Sequence, residues 1–179
     1  MKIVRLTTRQ ITTAGLLVSL TVVMAATGIG FIPVPTPAGA ATLMHLPVIL
    51  AGIIEGPIVG ALTGLLFGLF TLQFLGDPLV VLPARLLIGV FAWLVYRAFR
   101  NRVLGAGLAA AVGSATNTIG TLGLAVLRGY IQAKAAFGIA LVQGLPELVV
   151  SVVVLVPIAL AVAAWKGHSE TVRPTTASR

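Results

Sequence analysis

The feature that most constrains this sequence is the length of chain that carries no charged side chain. No Asp, Glu, Lys or Arg occurs between Arg9 and Glu55, and none occurs between Arg102 and Arg128. Uncharged apolar stretches of 18 or more residues are typical of membrane-spanning helices. Only 9% of the 179 residues are charged and 58% are hydrophobic, whereas about a quarter of a soluble domain is charged. The sequence therefore predicts an integral membrane protein.

Proline and glycine divide the chain into six predicted helices. The predicted ranges are Gln10–Gly28, Thr42–Ile54, Pro57–Leu75, Leu79–Phe99, Val103–Leu127 and Gln143–Trp165. The segment Phe31–Ala41 contains three prolines and is predicted to be a loop. We therefore predict an all-α fold, a six-transmembrane-helix bundle that forms a single domain over residues 1–167. The polar residues 168–179 are predicted to form a disordered cytoplasmic tail.

The distribution of basic residues predicts that both termini lie in the cytoplasm. With the N-terminus inside, nine of the twelve Lys and Arg residues lie on the cytoplasmic side. These nine are Lys2, Arg5, Arg9, Arg97, Arg100, Arg102, Lys166, Arg173 and Arg179. Arg128 and Lys134 lie outside, and Arg85 lies within a helix. The net charge of +8 therefore follows the positive-inside rule and does not indicate a nucleic-acid partner.

A few polar side chains interrupt the predicted spans. They are His45, Gln73, Arg85, Asn117, Gln143 and Glu147. At 1.5 Å of rise per residue, Arg85 and Asn117 each lie about 9 Å from the outer edge of a ~30 Å hydrocarbon core. The other four lie near the outer ends of their helices. Because an ionisable group within a bilayer is costly and is a functional candidate, the pattern predicts a substrate cavity open to the outside.

Other interpretations of the same residues remain open. Arg85 and Glu147 could form an interhelical ion pair, His45 could be a packing residue, and Asn117 could hold two helices together. Small residues recur at four-residue spacing in the third helix, and they could pack inside the bundle or form a smooth surface along which a partner moves. These small residues are Gly56, Gly60, Gly64 and Gly68.

The sequence carries no motif of an enzyme. HExxH, Walker A and GxSxG motifs are absent, and the chain has no cysteine. Ser114 and Ser151 have no evident histidine partner. We therefore predict no catalytic residue, no metal and no cofactor, and any ATPase would be a separate subunit.

Several stretches of the sequence resemble one transporter family. They are FIPVP (Phe31–Pro35), ATLMHLPVILAGIIEGPIVGALTGLLFGLF (Ala41–Phe70), LPARLLIGV (Leu82–Val90) and GSATNTIGTLGL (Gly113–Leu124). Over Thr8–Trp165 the chain resembles the substrate-binding S components of energy-coupling factor (ECF) vitamin transporters, and within them the pantothenate, folate and riboflavin group. The resemblance implies a multi-pass protein of a prokaryotic plasma membrane that captures a vitamin from outside. It also implies partners, namely a transmembrane coupling subunit and two cytoplasmic ABC-type ATPases, and release of the vitamin by toppling in the membrane.

The resemblance also implies roles for particular residues. The loops Phe31–Ala41 and Gly76–Val80 would gate the site. The small-residue face of the first helix, with Gly15 and Ser19, would contact the coupling subunit. The predicted substrate-binding residues are Arg85, Asn117, Gln143 and Glu147, to which the depth argument adds His45 and Gln73.

The identity of the vitamin is inferred from the cavity chemistry. Arg85 suits a carboxylate, and Tyr130 and Phe137 are the only aromatic candidates near the last two helices for stacking a flavin or pterin ring. The first point favours pantothenate or folate over a neutral ligand, and the second favours pantothenate over folate and riboflavin. Two functions of other classes stay open: a solitary carrier driven by an ion gradient, with Glu147 as its proton site, and a membrane scaffold whose glycine faces assemble partners without transport.

Overall fold

The fold is a helical bundle with one short β-hairpin, seen in a computed structural model that describes residues 7–33 and 40–171. The elements are α1 (Thr8–Thr27), β1 (Phe31–Pro33), β2 (Ala40–Thr42), α2 (Leu46–Glu55), α3 (Pro57–Leu75), α4 (Pro78–Ala98), α5 (Arg102–Leu127), α6 (Ala133–Ile139), a π-helical segment (Ala140–Gly144) and α7 (Leu145–Thr171). Within the described residues, four helical stretches are long and apolar enough to cross a membrane: α1, α4, α5 and Ala133–Trp165. Two shorter apolar helices, α2 and the Pro57–Gln73 part of α3, accompany them. The chain is therefore a multi-pass membrane protein.

The helices begin where the sequence supplies a cap. Thr7 forms a capping box with Gln10 at the start of α1, which satisfies backbone N–H groups that no helical carbonyl can reach. Asp77 accepts from the Leu79 amide at the start of α4. Asn101 accepts from two backbone amides at the start of α5. α3 has no side-chain cap and instead begins at Pro57, a residue well suited to the first helical position. These local signals explain why the predicted ranges of the first, third, fourth and fifth helices agree with the structure to within two residues.

The proline-containing segment between α1 and α2 is more ordered at its two ends than a plain loop. β1 and β2 pair antiparallel, with Phe31 opposite Thr42 and Pro33 opposite Ala40. The prediction that Thr42 begins the second helix is wrong, since Thr42 lies in β2 and α2 begins at Leu46. Residues 34–39 lie outside the described residues. The hairpin therefore fixes the backbone of Thr42 directly above the start of α2.

The last helical stretch starts ten residues before the predicted Gln143. It begins at Ala133 and passes through a π-helical segment, Ala140–Gly144, into α7. Alanine and lysine at its start favour helix, and the sequence there has no proline to end it. The helix continues to Thr171, so the last eight residues of the predicted tail, 172–179, lie outside the described residues.

A short helix, α2, lies at the centre of the bundle. Every residue from Leu46 to Ile53 is buried, and α2 contacts α1, α3, α4, α5 and α7. A helix that is apolar on all sides must be surrounded in this way. It therefore positions the residues that precede it, Thr42 and His45, within the bundle.

Glycines allow α2, α3 and α4 to pack with their backbones in contact. A Cβ at Gly60 would lie 3.0 Å from the Cα of Gly89, and a Cβ at Gly52 or Gly64 would overlap the carbonyl oxygen of Gly89 or Arg85 respectively. Of the two open interpretations of the glycine spacing, the structure supports packing inside the bundle for Gly60 and Gly64. This packing brings α4 close to α3 and fixes the position of Arg85 along the axis of the bundle.

Helix α1 has the opposite character. Only Leu17 and Thr21 are buried along it, while Leu16 and Leu20 are exposed. Nothing lies within 4 Å of a Cβ placed at Gly15. The α1 surface is therefore open to lipid or to another protein.

Candidate functional site

The buried polar side chains gather at the end of the bundle where β2 meets α2 and α7. His45, Arg85, Asn117 and Glu147 are all buried there, with exposed fractions between 0% and 6%. Arg85 lies in the first half of α4, Asn117 in the second half of α5 and Glu147 near the start of α7, while His45 precedes α2. Four of the six side chains predicted from their depth are therefore buried in this part of the bundle.

Glu147 connects three elements through its carboxylate. Its Oε1 accepts a hydrogen bond from the backbone N–H of Thr42 in β2. Its Oε2 accepts one from the hydroxyl of Thr118 in α5 at 3.0 Å. The Gln143 amide adds a longer contact to Oε1 at 3.4 Å. Both oxygens of this buried carboxylate are thus satisfied, and Glu147 ties the hairpin to α5 and α7.

A glycine and the π-helical segment make this connection possible. A Cβ at Gly144 would lie only 3.0 Å from the Cγ2 of Thr118, so a larger residue there would push α7 away from α5. Gly144 ends the π-helical segment, a feature that often occurs at functional sites. The segment delivers Gln143 and Glu147 to the same buried region.

His45 and Ser151 form a second buried pair beside Glu147. The His45 Nε2 lies 3.1 Å from the Ser151 Oγ, so the expectation that Ser151 has no histidine partner is wrong. The Ser151 hydroxyl donates to the backbone carbonyl of Glu147 at 2.6 Å, and it therefore accepts from the His45 Nε2–H. Because that hydroxyl proton is already used and neither residue is exposed, the pair holds α2 to α7 and does not form a nucleophile.

Arg85 is buried without a matching set of acceptors. Its guanidinium lies over the Phe67 ring, 4.6 Å from the centroid, a cation–π arrangement. Its Nε and Nη1 have no hydrogen-bond partner among the described residues. The charge of Glu147 acts on it electrostatically. However, no carboxylate of residues 7–33 and 40–171 lies within 4 Å of it, so the structure does not contain the Arg85–Glu147 ion pair.

Unpaired acceptors lie near this unpaired cation. The Asn117 Oδ1 and the Gln143 Oε1 are buried and have no partner in the described part of the chain. A buried polar atom without a partner costs about 1–3 kcal/mol, and such atoms in native proteins need a specific explanation. One basic group with unpaired N–H donors and two unpaired amide oxygens are therefore buried at this end of the bundle. Sequence reasoning did not single out the buried hydroxyl of Thr118, and it considered Ser151 only as a nucleophile.

Comparison with known proteins identifies the family of the chain. Residues 9–159 match the family described as ECF transporter, substrate-specific component. The chain belongs to this family. The resemblance found in the sequence is thereby confirmed, and the family is one of transporter components and not of enzymes.

One curated relative of this S component is the pantothenic acid transporter PanT of Lactococcus lactis. It is 37% identical over a match that covers 44% of this chain and 52% of PanT. The chain thus spans about half the length of this relative.

Three other predicted residues of the S component lie away from the buried cluster. Gln73 is exposed near the end of α3 and shares none of the hydrogen bonds of the cluster. Gly15 and Ser19 are exposed on α1, and the Ser19 hydroxyl donates to the Gly15 carbonyl at 2.8 Å. Contact of these two with a coupling subunit stays a prediction.

A polar clasp closes the same end of the S component at its surface. The Asp77 Oδ2 accepts from the Tyr130 hydroxyl at 2.7 Å and from the Arg128 Nε at 3.0 Å. The hydrogen bond from Tyr130, then that from the Leu79 amide, then Arg128 lower the pKa of Asp77. Asp77 in turn raises the pKa of Arg128. The clasp joins the α3–α4 loop to the end of α5.

The two aromatic residues considered as ring-stacking candidates do not line the buried cluster. Tyr130 belongs to the clasp and is 60% exposed, and Phe137 is 66% exposed. Phe67, which sequence reasoning missed, is the aromatic ring of the cluster, and Arg85 covers one of its faces. Its position within the continuous apolar run of α3 gave no sequence signal that separates it from ordinary core residues.

Proposed function

We propose that this S component binds pantothenate at the Arg85 cluster from the outside and releases it inward. It does so together with a transmembrane coupling subunit and two cytoplasmic ATPases in a prokaryotic plasma membrane. In this proposal the four long spans and the two shorter helices α2 and α3 make six crossings, and both termini are cytoplasmic. The observation that carries the proposal is the buried guanidinium of Arg85, whose Nε and Nη1 lack partners in the described residues.

The chemistry of pantothenate complements the unpaired groups. Its carboxylate accepts from Arg85, and charge-assisted hydrogen bonds of this kind are the strong ones. Its amide N–H and two hydroxyls are donors, which match the free acceptors on Asn117 and Gln143. A ligand of this kind satisfies the cation and the amide oxygens together. The relative PanT, a pantothenic acid transporter, supports the same substrate.

The aromatic side chains favour pantothenate over riboflavin or folate. A flat ring system is usually held between aromatic faces. In this cluster Phe67 is nearly fully buried and already packs against the Arg85 guanidinium. Tyr130 and Phe137 are exposed. The described residues therefore provide no pair of aromatic faces for a ring.

Two features argue against the alternative functions. An ion-gradient carrier would use Glu147 as a proton site, yet both its oxygens accept hydrogen bonds from other elements, which favours a structural role. In a scaffold the glycines would lie on the surface and contact partners. Gly60 and Gly64 instead pack against α4 and α2 inside the bundle. The open surface of α1, with Gly15 and Ser19, is where we place the contact with the coupling subunit.

Binding to the purified protein tests the substrate. Pantothenate is compared with pantothenol, in which an alcohol replaces the carboxylate, and with folate and riboflavin. We expect pantothenol to bind on the order of 100-fold more weakly, because it leaves the Arg85 charge without a counter-charge. Equal affinity for the two compounds would refute the role of Arg85, and binding of riboflavin or folate alone would refute the substrate.

Uptake into liposomes tests the mode of transport. We expect uptake only when the coupling subunit, the ATPases and ATP are present. Uptake by this chain alone under a proton gradient would instead establish the solitary carrier.

A further inference from the structure

A second candidate site lies at the opposite end of the bundle, outside the proposed substrate site. A surface pocket of about 370 Å³ lies where α4 ends and α5 begins. Its polar wall is formed by Arg97, Arg100 and Arg102, and its aromatic wall by Trp93, Tyr96 and Phe99. We call this the arginine pocket. Neither the family nor the proposed transport of pantothenate gives it a role.

The arginine pocket gathers three positive charges. Neither the Arg9–Glu55 nor the Arg128–Asp77 ion pair of the described residues includes an arginine of the pocket. Arg97 lies in the last turn of α4, where a helix favours a cation. Arg102 is the first residue of α5 and Arg100 precedes its cap, Asn101, at a helix end where the dipole disfavours a cation. The helix dipole therefore does not account for these two arginines.

The aromatic wall is held in place by neighbouring helices. The Arg97 guanidinium lies over the Trp93 ring, 5.3 Å from its centroid. A Cβ at Gly105 would lie 3.4 Å from the Tyr96 ring, so the start of α5 packs closely on that side chain. The pocket therefore has a basic mouth, and Trp93 and Tyr96 on its aromatic side pack against Arg97 and the start of α5.

The depth of the pocket matches the level of the lipid headgroups. Helix α4 has 21 residues, which at 1.5 Å of rise per residue spans about 30 Å, the thickness of the hydrocarbon core. Its last turn therefore reaches the membrane interface, where Trp and Tyr are enriched. Exposed apolar side chains, Phe91, Leu94, Val103 and Leu104, continue from the pocket along α4 and α5. A basic mouth thus adjoins an apolar strip that faces the hydrocarbon.

We propose that the arginine pocket binds the headgroup of an anionic phospholipid. The phosphate lies on the three arginines, and the acyl chains lie along the apolar strip of α4 and α5. A soluble phosphate compound would use the arginines but not the strip, which is why a lipid is the better match. With both termini in the cytoplasm, the pocket faces the leaflet whose anionic lipids attract juxtamembrane basic clusters.

Native mass spectrometry of the full chain in mild detergent tests this proposal. The probes are phosphatidylglycerol and phosphatidylcholine with identical acyl chains. We expect the native chain to retain phosphatidylglycerol preferentially. In the triple variant Arg97→Gln, Arg100→Gln, Arg102→Gln, we expect this preference to fall by tenfold to about a hundredfold, since each arginine contributes roughly fivefold. The single variant Arg100→Gln, expected to lose about fivefold, serves if the triple variant does not fold.

A variant with the same loss of charge elsewhere is the matched control. Lys166→Gln, Arg173→Gln, Arg179→Gln removes three positive charges on the same predicted side of the membrane. We expect it to keep the preference for phosphatidylglycerol, and we expect both triple variants to bind pantothenate as the native chain does. Equal loss in the two triple variants would overturn the proposal, since net charge alone would then explain the retention.

Two further results would also overturn it. If soluble glycerophosphoglycerol bound as tightly as phosphatidylglycerol, the ligand would be a soluble phosphate and the apolar strip would be irrelevant. If the pocket variant retained phosphatidylglycerol normally but no longer co-purified with the coupling subunit, the arginines would serve a protein contact.

Discussion

The two halves of the buried cluster differ in how far their polar atoms are satisfied. On the α7 side, Glu147 accepts from Thr42 and Thr118, and Ser151 bonds both His45 and the backbone, which leaves the His45 Nδ1 and the Gln143 Oε1 without partners in the described residues. On the α4–α5 side, donors of Arg85 and an acceptor of Asn117 are buried without partners there. Each half is buried and contains one charged side chain, Glu147 or Arg85. Hydrogen-bond satisfaction is what separates a structural polar group from a candidate binding group.

This difference has an energetic meaning. A satisfied buried carboxylate stabilises the fold, and its removal leaves other groups unpaired. An unsatisfied buried cation costs stability in the free protein, and a ligand that pairs with it recovers that cost as binding energy. The two halves should therefore respond in opposite ways to mutation.

The largest expected effect is that of Arg85→Gln on binding. We expect pantothenate affinity to fall on the order of 100-fold or more, because a buried charge-assisted pair is lost. The thermal stability of the free protein should stay the same or rise, since an uncompensated buried charge is removed. Calorimetric titration and thermal unfolding in detergent measure the two quantities.

Two variants make that result specific. Arg85→Lys keeps the charge but not the planar array of N–H donors, and we expect an intermediate loss of affinity. Arg9→Gln changes an exposed arginine at the other end of the bundle and should leave affinity unchanged. A large loss of stability in Arg85→Gln without loss of affinity would reverse the assignment of the two halves.

The second effect concerns Glu147. Glu147→Ala leaves the Thr42 amide and the Thr118 hydroxyl without their acceptor, and we expect it to destabilise the fold by about 1–3 kcal/mol. At roughly 2–4 °C per kcal/mol for a chain of this size, thermal unfolding detects this change. Faster hydrogen exchange at the Thr42 amide should accompany it.

Glu147→Gln is the matched control. Its amide oxygen can accept from Thr42 while its NH₂ donates to the Thr118 hydroxyl, which serves as donor or acceptor, so most of the stability should remain. ATP-driven uptake should also remain. A loss of uptake with normal stability would instead indicate that Glu147 must take up a proton.

The smallest effect is expected at the surface clasp. The pKa of Asp77 is lowered, chiefly by the hydrogen bond from Tyr130, so its carboxylate stabilises the clasp above the ordinary Asp pKa. That contribution is lost as the pH falls through the lowered value, below about pH 4. Asp77→Asn should speed hydrogen exchange in the α3–α4 loop at pH 7, and the difference from the native chain should vanish in strong acid. A difference that persists there would exclude the carboxylate as its cause.

Much of the fold follows from the sequence because membrane helices have simple rules. Length without charge locates the spans, and Thr7, Asp77 and Asn101 mark helix starts. The start of the last helix shows where these rules fail, because the predicted start, Gln143, lies ten residues after the observed one, Ala133. The residues from Ala133 onward are good helix formers, but their glycines and polar neighbours resemble a loop when tertiary contacts are unknown.

The residues of the candidate site also differ in whether the sequence alone could identify them. Charged and amide side chains such as Arg85 and Asn117 stand out within apolar spans, so sequence alone could select them. Hydroxyls do not stand out, because in a helix they usually bond their own backbone, as Thr21 does to Leu17 and Thr121 does to Asn117. Nothing local distinguishes Thr118, whose hydroxyl instead reaches Glu147 in another helix.

The contact between Gly60 and Gly89 has a consequence for how the molecule can move. A shift of α3 along α4 by one residue would place a side chain where only a glycine fits, since a Cβ at Gly89 would already lie 2.5 Å from the Cα of Gly60. The register of these helices is therefore locked, and α2, α3 and α4 must translate and rotate as a single block. An internal rearrangement that opens a path for a solute must therefore occur in the helices outside that block or in the hairpin.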